Sequence, residues 1–482
     1  MPPPWLHPVE ASAKDNGSQA TLCAATARPA WMTPASSDPG IDPQIDTIPI
    51  CPHGNGSQAM GILQPFNAIT PEISEKPSAA SSDSGSIHAP MEMGSEEGPW
   101  WMSLVHNFTP SWYSITMATG MAALILHALP YQNQAVTVLY TIIFVLNVFL
   151  FVVISILAIL RYTLYPQTWG LMIRHPVQSL FLGCCPMGLT TVINMFIFVC
   201  IDGAGWGKWA SDLAWTLWWI DVVMAVACSC GLPFLIMHVH QVDLPSMTAV
   251  WLLPAATPIV TASNGATVAS MLSSSNPQHA LWTLMVSYVL WGIGLPMAVV
   301  TLGLYFHRLT MHKLPPREMI ITVFMPVGPI GQASFTIMNL GKMALDLFPE
   351  TGAIHPMAGD VFYISGFFTA ILLWGFGLVW LFFAVASVTR SRFPFNMGWW
   401  GFTFPTGVYV LATLQLGVEL PSAFFDILGT ASKQVMAVIV VLIWFLVAVI
   451  TLKRNLIGEI NFAPCFLSSR RHRMNGEVAD RV

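Results

Sequence analysis

The feature that most constrains this chain is a series of apolar runs, each about 20 residues long, that recur from Phe108 onward between short loops. A run of about 20 apolar residues is what a helix needs to cross the hydrocarbon core of a bilayer. Ten such runs predict an all-α integral membrane protein with ten transmembrane helices. The predicted spans are Ser111–Leu129, Ala135–Leu160, Leu180–Cys200, Leu213–Met237, Met247–Met271, Ala280–Tyr305, Met319–Met343, Val361–Val388, Met397–Leu416 and Ile427–Thr451.

Composition points the same way and excludes an ordinary soluble enzyme. Hydrophobic residues make up 54% of the chain and charged residues only 9%, whereas soluble domains carry roughly 25% charged residues. The formal net charge of −5 leaves no broad basic surface, so nucleic-acid binding is set aside. The eight cysteines show no paired CxxC spacing, so no zinc site or disulfide framework is indicated. We expect no cofactor, no metal and no catalytic residue.

The two ends of the chain differ from the middle. Residues 1–99 are rich in Pro, Ser, Gly and Asp, and such a segment cannot bury enough apolar surface to offset its ordering entropy. We therefore predict a disordered cytosolic tail at residues 1–99, a transmembrane transporter domain at residues 100–454 and a basic cytosolic tail at residues 455–482.

Loop charges predict the orientation, because Lys and Arg near the ends of spans are retained in the cytosol. The loops after odd-numbered spans hold only Lys208, Lys342 and Lys433. Both termini are therefore expected in the cytosol. The loops after even-numbered spans hold more basic residues, namely Arg161, Arg174, Arg308, Lys313, Arg317, Arg390 and Arg392.

Odd and even spans differ in kind. The second and tenth spans are packed with Val, Ile, Leu and Phe, whereas the odd spans carry Pro, Gly and small polar residues at mid-membrane depth. Backbone breaks in hydrocarbon are tolerated where they are buried in protein or line a wet cavity. The alternation predicts an inner ring of five broken odd helices inside an outer ring of even helices. The alternative is that the small residues serve only tight helix packing.

The residues that this alternation proposes for the lining of a solute path are spread over all five odd spans. They are Thr119 and Gly120; Pro186, Gly188, Thr190 and Asn194; Pro258, Ser263 and Asn264; Gly328, Pro329, Gly331, Gln332 and Ser334; and Pro405 and Gly407.

The charge inside the spans indicates the kind of solute. Asp221 lies in the fourth span, and a carboxylate there is costly unless it faces the bundle interior; both a structural role and proton handling stay open for it. No ring of acids suits a cation filter, and no series of Arg or Lys suits a voltage sensor. Backbone N–H groups, hydroxyls and amides remain, and they can hold a small anion weakly.

A set of short motifs runs in order through the membrane domain and carries a resemblance to a known family. The chain resembles the tellurite-resistance/dicarboxylate transporter family, which includes plant slow anion channels and fungal malate permeases, and within it most the fungal sulfite efflux pumps. The resemblance covers about residues 107–454. The motifs include Phe108–Trp112 (FTPSW), Met117–Gly120 (MATG), Trp251–Pro254 (WLLP), His312–Pro316 (HKLPP), Gly328–Gln332 (GPIGQ) and Thr403–Pro405 (TFP).

The resemblance implies five helical hairpins around a central pore, with the odd helices inside, in a homotrimer with one pore per subunit. It implies that Phe404 occludes the pore as a gate, and it adds Thr403 to the proposed lining. The expected function is efflux of sulfite or bisulfite through the plasma membrane, which confers sulfite tolerance. A malate or C4-dicarboxylate permease and a slow-type anion channel remain alternatives. A membrane-embedded enzyme or sensor would need convergent titratable groups, and the spans supply too few.

Overall fold

A computed structural model gives the structure of the protein, and it describes residues 100–129, 132–240, 242–316, 319–390, 395, 397–420 and 423–456. The predicted N-terminal tail at residues 1–99, the C-terminal tail beyond residue 456, and the loop residues Arg317 and Arg392 lie outside this description. The layout of the two tails stays a prediction.

Within these ranges the chain forms α-helices and short 3-10 or π turns, and it contains no strand. Each of the ten predicted spans coincides with a helical segment. The α-helices are α1 (Trp100–Asn107), α2 (Tyr113–His127), α3 (Gln134–Leu164), α4 (Pro166–Arg174), α5 (Cys184–Phe196), α6 (Lys208–His238), α7 (Leu253–Ser273), α8 (Pro277–His312), α9 (Val327–Thr351), α10 (Ala358–Thr389), α11 (Trp400–Glu419) and α12 (Ala423–Leu456).

Eight helical segments in the described ranges are long and apolar enough to cross a membrane, which confirms a helical, multi-pass membrane protein. The two predicted spans outside this set are the first and the fifth. Helix α2 has only 15 residues, fewer than the roughly 20 that a span needs. Helix α7 has 21 residues, but Thr, Ser, Asn and Pro lower its hydropathy. The count of ten spans arranged as hairpins therefore stays a prediction.

Burial alternates along the chain as the sequence indicates. The segment Ile320–Thr351 contains α9, and 94% of the residues in its most apolar 18-residue window are buried. In the corresponding window of α10 (Ala358–Thr389), 22% of the residues are buried. Helices α2, α5, α7, α9 and α11 are the buried set, and α3, α6, α8, α10 and α12 expose large apolar side chains. We call these the inner and outer helices.

The inner helices form a closed ring. In cyclic order α2 contacts α5, α5 contacts α7, α7 contacts α9, α9 contacts α11, and α11 contacts α2 again. The outer helices pack around this ring, each beside an inner helix that precedes or follows it in the chain. Any space between the five inner helices is thereby screened from the outer surface.

The inner helices do not break in the way that the sequence predicts. The α-helix runs through Pro258 in α7 and through Pro405 in α11, so a mid-helix break at these residues is wrong. Pro186, Pro254 and Pro329 instead lie in the first turn of their helices, where the missing N–H has no intrahelical partner to lose. A 3-10 turn precedes each inner helix. These turns are Pro110–Trp112, Ser179–Gly183, Ala249–Leu252, Ile320–Phe324 and Met397–Trp399.

Each outer helix donates a side-chain hydrogen bond to the next inner helix of the chain, and the last outer helix donates one to the first inner helix. Four of the five donors are indole N–H groups, and the fifth is a side-chain amide. In order they are Asn147 to the Thr191 hydroxyl, Trp218 to the Thr261 carbonyl, Trp291 to the Ala333 carbonyl, Trp374 to the Thr413 hydroxyl, and Trp444 to the Thr119 hydroxyl, at 2.9–3.2 Å. Such bonds hold helices together where no water competes for the donor.

Glycines in the inner helices permit close packing. A Cβ atom on Gly120 would lie 2.3 Å from the Cβ of Thr191 on α5, and one on Gly407 would lie 2.4 Å from the Cγ of Met121 on α2. Real Cβ atoms do not approach other atoms so closely, so these glycines set the distance between neighbouring inner helices. Tight packing, the alternative weighed from the sequence, explains these two positions.

We predict that Gly120→Ala lowers the free energy of unfolding by about 1–3 kcal/mol, because the new methyl group meets Thr191, a β-branched side chain that cannot turn aside. Gly375→Ala in α10 is the matched control, since no atom lies within 4 Å of its Cβ position. Thermal unfolding of the purified variants in detergent measures the effect. Equal melting temperatures for the two variants would contradict the packing role of Gly120.

Candidate functional site

Two cavities lie inside the ring of inner helices, and all five inner helices contribute to both. We call the larger one, of about 120 Å³, the central cavity, and the smaller one, of about 30 Å³, the methionine cavity. Their walls contain no outer-helix residue from the described ranges. The space that the sequence predicts between the odd helices is therefore present.

The walls of the central cavity are mainly apolar but carry several hydrogen-bonding groups. Hydroxyl or amide groups reach it from α5 through Thr190 and Asn194, from α7 through Ser263, and from α9 through Gln332. A side-chain oxygen of Asn194, a buried residue, has no hydrogen-bond partner among the described residues. A cavity of this size exceeds the roughly 10–15 Å³ that one water molecule needs. The central cavity can therefore hold water or a small solute in contact with hydrogen-bonding groups.

The methionine cavity is apolar by contrast. Met117, Met187 and Met325 line it, together with the Pro329 ring and the face of Phe404. Thioether side chains are flexible and adapt to irregular space. A hydrated ion finds few groups here to replace its water, so this cavity is the less favourable part of the lumen for an anion.

Phe404 lies between the two cavities. Its ring, 4% exposed, is part of both walls, and only Val260 and Gln332 share that position with it among the described residues. An aromatic ring at such a constriction can block an ion and dewet the passage. Phe404 therefore lies at the boundary that the two cavities share.

A third cavity, of about 980 Å³, opens beyond the central cavity and is called the vestibule. Its walls come from parts of α7, α9 and α11, the π turn after α5, and the first residues of the outer helices α6 and α8. Lys342 in its wall forms an ion pair of 2.5 Å with Glu419, and Tyr363 and Gln415 donate to the same carboxylate. The charge of Lys342 is therefore largely balanced and gives no free basic site for an anion.

Asp221 connects an outer helix to two inner helices. It is fully buried, and its Oδ2 atom accepts hydrogen bonds from the hydroxyls of Thr190, at 2.7 Å, and Thr261, at 3.0 Å. Its Oδ1 atom has no hydrogen-bond partner in the described part of the chain. Because Thr190 also lines the central cavity, Asp221 lies one hydrogen bond away from the lumen.

The structure brings eight of the residues proposed from the sequence to the walls of the central or methionine cavity. The remaining ones lie elsewhere in the inner helices: Thr119 accepts from Trp444, the Ser334 hydroxyl donates to the Ala370 carbonyl, and a Cβ on Gly331 would meet Tyr409. In the walls are Thr190, Asn194, Ser263, Gly328, Pro329, Gln332, Phe404 and Pro405; outside them are Thr119, Gly120, Pro186, Gly188, Pro258, Asn264, Gly331, Ser334, Thr403 and Gly407.

Sequence reasoning missed several lining residues, although a helical spacing signal was present. Residues at steps of three and four share a helix face, and each inner helix turns one such stripe toward the lumen. At these spacings Phe335 and Asn339 follow Gln332 on one face of α9, and Val260 and Thr267 share a face of α7 with Ser263. The stripes are Met117, Met121, Leu124 and Ala128 on α2; Met187, Thr190 and Asn194 on α5; Ala256, Val260, Ser263, Thr267 and Ser270 on α7; Gly328, Gln332, Phe335, Asn339 and Lys342 on α9; and Gly401, Phe404, Leu411 and Gln415 on α11.

Comparison with known proteins gives a consistent result. Residues 107–452 match the family model described as SLAC1, voltage-dependent anion channel. A sulfite efflux pump SSU1 of Arthroderma benhamiae is 45% identical over 356 residues, which cover 74% of this chain and 93% of the pump. The SSU1 pump of Candida albicans is 27% identical, over 68% of this chain and 70% of that protein. A malic acid transport protein of Schizosaccharomyces pombe is 24% identical, over 73% and 80% of the two chains.

For the buried carboxylate we predict that Asp221→Ala lowers the free energy of unfolding by about 1–3 kcal/mol, because two buried hydroxyl donors lose their acceptor. Asp221→Asn should cost less than half as much, since an amide oxygen can still accept from Thr190 and Thr261. Asp212→Ala, at an exposed position of the same helix, should be neutral. Thermal unfolding in detergent ranks the variants, and a fully stable Asp221→Ala protein would refute the bridging role.

Proposed function

Because the chain belongs to the SLAC1 voltage-dependent anion channel family, we propose that it carries sulfite and bisulfite out of the cell and thereby confers sulfite tolerance. The observation that carries this proposal is a lumen enclosed by five inner helices, with hydroxyl and amide groups in the central cavity and the Phe404 ring in the walls of both cavities. The choice of sulfite as the substrate is based on similarity to proteins named sulfite efflux pump SSU1.

The proposed path runs from the cytosolic side through the methionine cavity, past Phe404 and into the central cavity. From there it continues into the vestibule. Sulfite and bisulfite are small oxyanions that accept hydrogen bonds from hydroxyls and amides, and Thr190, Asn194, Ser263 and Gln332 offer such groups in the central cavity. A negative-inside membrane potential favours anion exit by about 2.3 kcal/mol per charge per 100 mV. Efflux along this path needs no ATP.

Phe404 is proposed as the gate of this path. Rotation of its ring away from Val260 and Gln332 would join the two cavities, because those three residues are the ones that both walls share. The seven other predicted residues in the walls are proposed as the anion path. Of the ten outside the walls, Thr119, Gly120, Gly331, Ser334 and Gly407 contact neighbouring helices and are proposed as supports of the inner helices.

The setting of the protein is also proposed. The exposed apolar faces of the outer helices support contact with lipid, and the loop charges support both termini in the cytosol. The plasma membrane is proposed from the resemblance to sulfite efflux pumps. A homotrimer with one lumen per subunit rests on the resemblance to the family alone.

Vesicle flux tests the substrate directly. We expect purified protein, reconstituted into vesicles loaded with sulfite, to release sulfite, and a tenfold excess of malate to leave that rate unchanged. Nitrate is measured in parallel, and vesicles without protein give the background. Release of malate without release of sulfite would reject sulfite efflux in favour of a dicarboxylate permease, which the similarity to the malic acid transport protein keeps as the second candidate.

Removal of the gate ring should speed the flux. We expect Phe404→Ala to raise sulfite release about tenfold, as if about 1.4 kcal/mol were removed from the barrier. Phe402→Ala is the matched control, because Phe402 lies on the same helix but packs against Phe324, at 4.3 Å between ring centroids, outside both cavity walls. Flux that stays at the unmutated rate in a well-expressed Phe404→Ala protein would reject the gate.

A further inference from the structure

A second constriction lies at the outer end of the central cavity. The central cavity and the vestibule share three wall residues, Phe198, Thr267 and Phe335. Two of the three are aromatic, and they come from different inner segments, the π turn after α5 and helix α9. The central cavity is therefore bounded by aromatic rings at both ends, by Phe404 on one side and by Phe198 and Phe335 on the other.

His127 stands beside this outer constriction. It is the last residue of α2, and its imidazole stacks on the Phe198 ring with a centroid distance of 4.3 Å and an angle of 8° between the planes. The Tyr140 ring of α3 also packs against the imidazole, nearly perpendicular to it, with a centroid distance of 5.4 Å. These two aromatic contacts favour one orientation of the imidazole.

The polar edge of this imidazole is available to a solute. His127 is half-buried and is part of the central cavity wall, and no side-chain hydrogen bond occupies its ring nitrogens among the described residues. Within the described ranges it is also the one titratable side chain in the walls of the central and methionine cavities. The charged group that interacts electrostatically with this imidazole is Asp202, in the vestibule wall. An imidazole carries at least one N–H donor in either protonation state.

We propose that His127 is an anion-binding residue of the transport path, which donates an N–H to a small oxyanion at the outer end of the central cavity, and that Phe198 positions its ring. This inference rests on the proposed function, because the ligand is the transported sulfite or bisulfite. Thr190, Asn194, Ser263 and Gln332 offer hydroxyl and amide groups to the same cavity, and the imidazole adds a ring N–H to them.

Three variants separate the N–H donor from the shape of the ring. His127→Phe keeps a ring that can stack on Phe198 but removes both ring nitrogens, and His127→Gln restores an N–H donor without a stacking ring. His238→Phe is the control, because His238 also stacks on an aromatic ring, that of Phe234 at 5.8 Å and 20°, but lies in none of the three cavity walls. Initial rates of sulfite release from reconstituted vesicles, measured over a range of sulfite concentrations, give KM and the maximal rate for each protein.

His127→Phe should raise the KM for sulfite about tenfold while the maximal rate falls less, as expected when a charge-assisted hydrogen bond is lost. His127→Gln should keep KM within about threefold of the unmutated value, and His238→Phe should leave KM unchanged. An unchanged KM in His127→Phe overturns the proposal, and so does an equal rise in His127→Gln, because the ring rather than its N–H would then matter.

If His127→Phe does not reach the membrane, Phe198→Leu tests the same site, since loss of the stack should raise KM through a misplaced imidazole; an unchanged KM overturns the proposal. The two levels of inference fail separately. If the unmutated protein releases no sulfite, the proposed function is rejected. If the unmutated protein is active and His127→Phe has the same KM for sulfite, only the role of His127 is rejected.

Discussion

The structure depends on one constraint, that polar groups inside a membrane protein must find partners in the protein because lipid offers none. The inner helices carry many buried hydroxyl and amide side chains, so they are stable only when other helices cover them. The outer helices supply that cover, and each also donates one hydrogen bond to the next inner helix, as Trp444 does to Thr119 and Trp218 to Thr261. This cyclic set of bonds fixes which face of each inner helix is left for the lumen.

The lumen that remains changes in character along its length. The vestibule carries charged groups of both signs, the central cavity carries hydroxyl and amide groups with one imidazole, and the methionine cavity has apolar walls. An anion held by neutral donors binds weakly enough to leave, and rapid passage requires this. Phe404 separates the part of the lumen that can replace water around an anion from the part that cannot, so the main barrier and the proposed gate coincide.

The small residues of the inner helices serve two purposes that a sequence does not separate. Gly120 and Gly407 bring neighbouring helices together, and their Cβ positions meet Thr191 and Met121. Gly328 is also in close contact with a neighbour, Pro405, yet it lies in the wall of the methionine cavity. Both uses favour glycine for the same reason, the absence of a side chain, and for that reason the predicted lining contains residues of both kinds.

The sequence by itself determined the helical membrane fold and the division into buried odd and exposed even helices, because both follow from residue type and period along one segment. It also pointed to Phe404, although through the resemblance to a family. Only the tertiary structure decided that helices run through Pro258 and Pro405, that Ser334 turns to the Ala370 carbonyl, and that His127 lies on Phe198. Those outcomes depend on the rotation of each helix about its axis, and contacts with helices distant in the chain set that rotation.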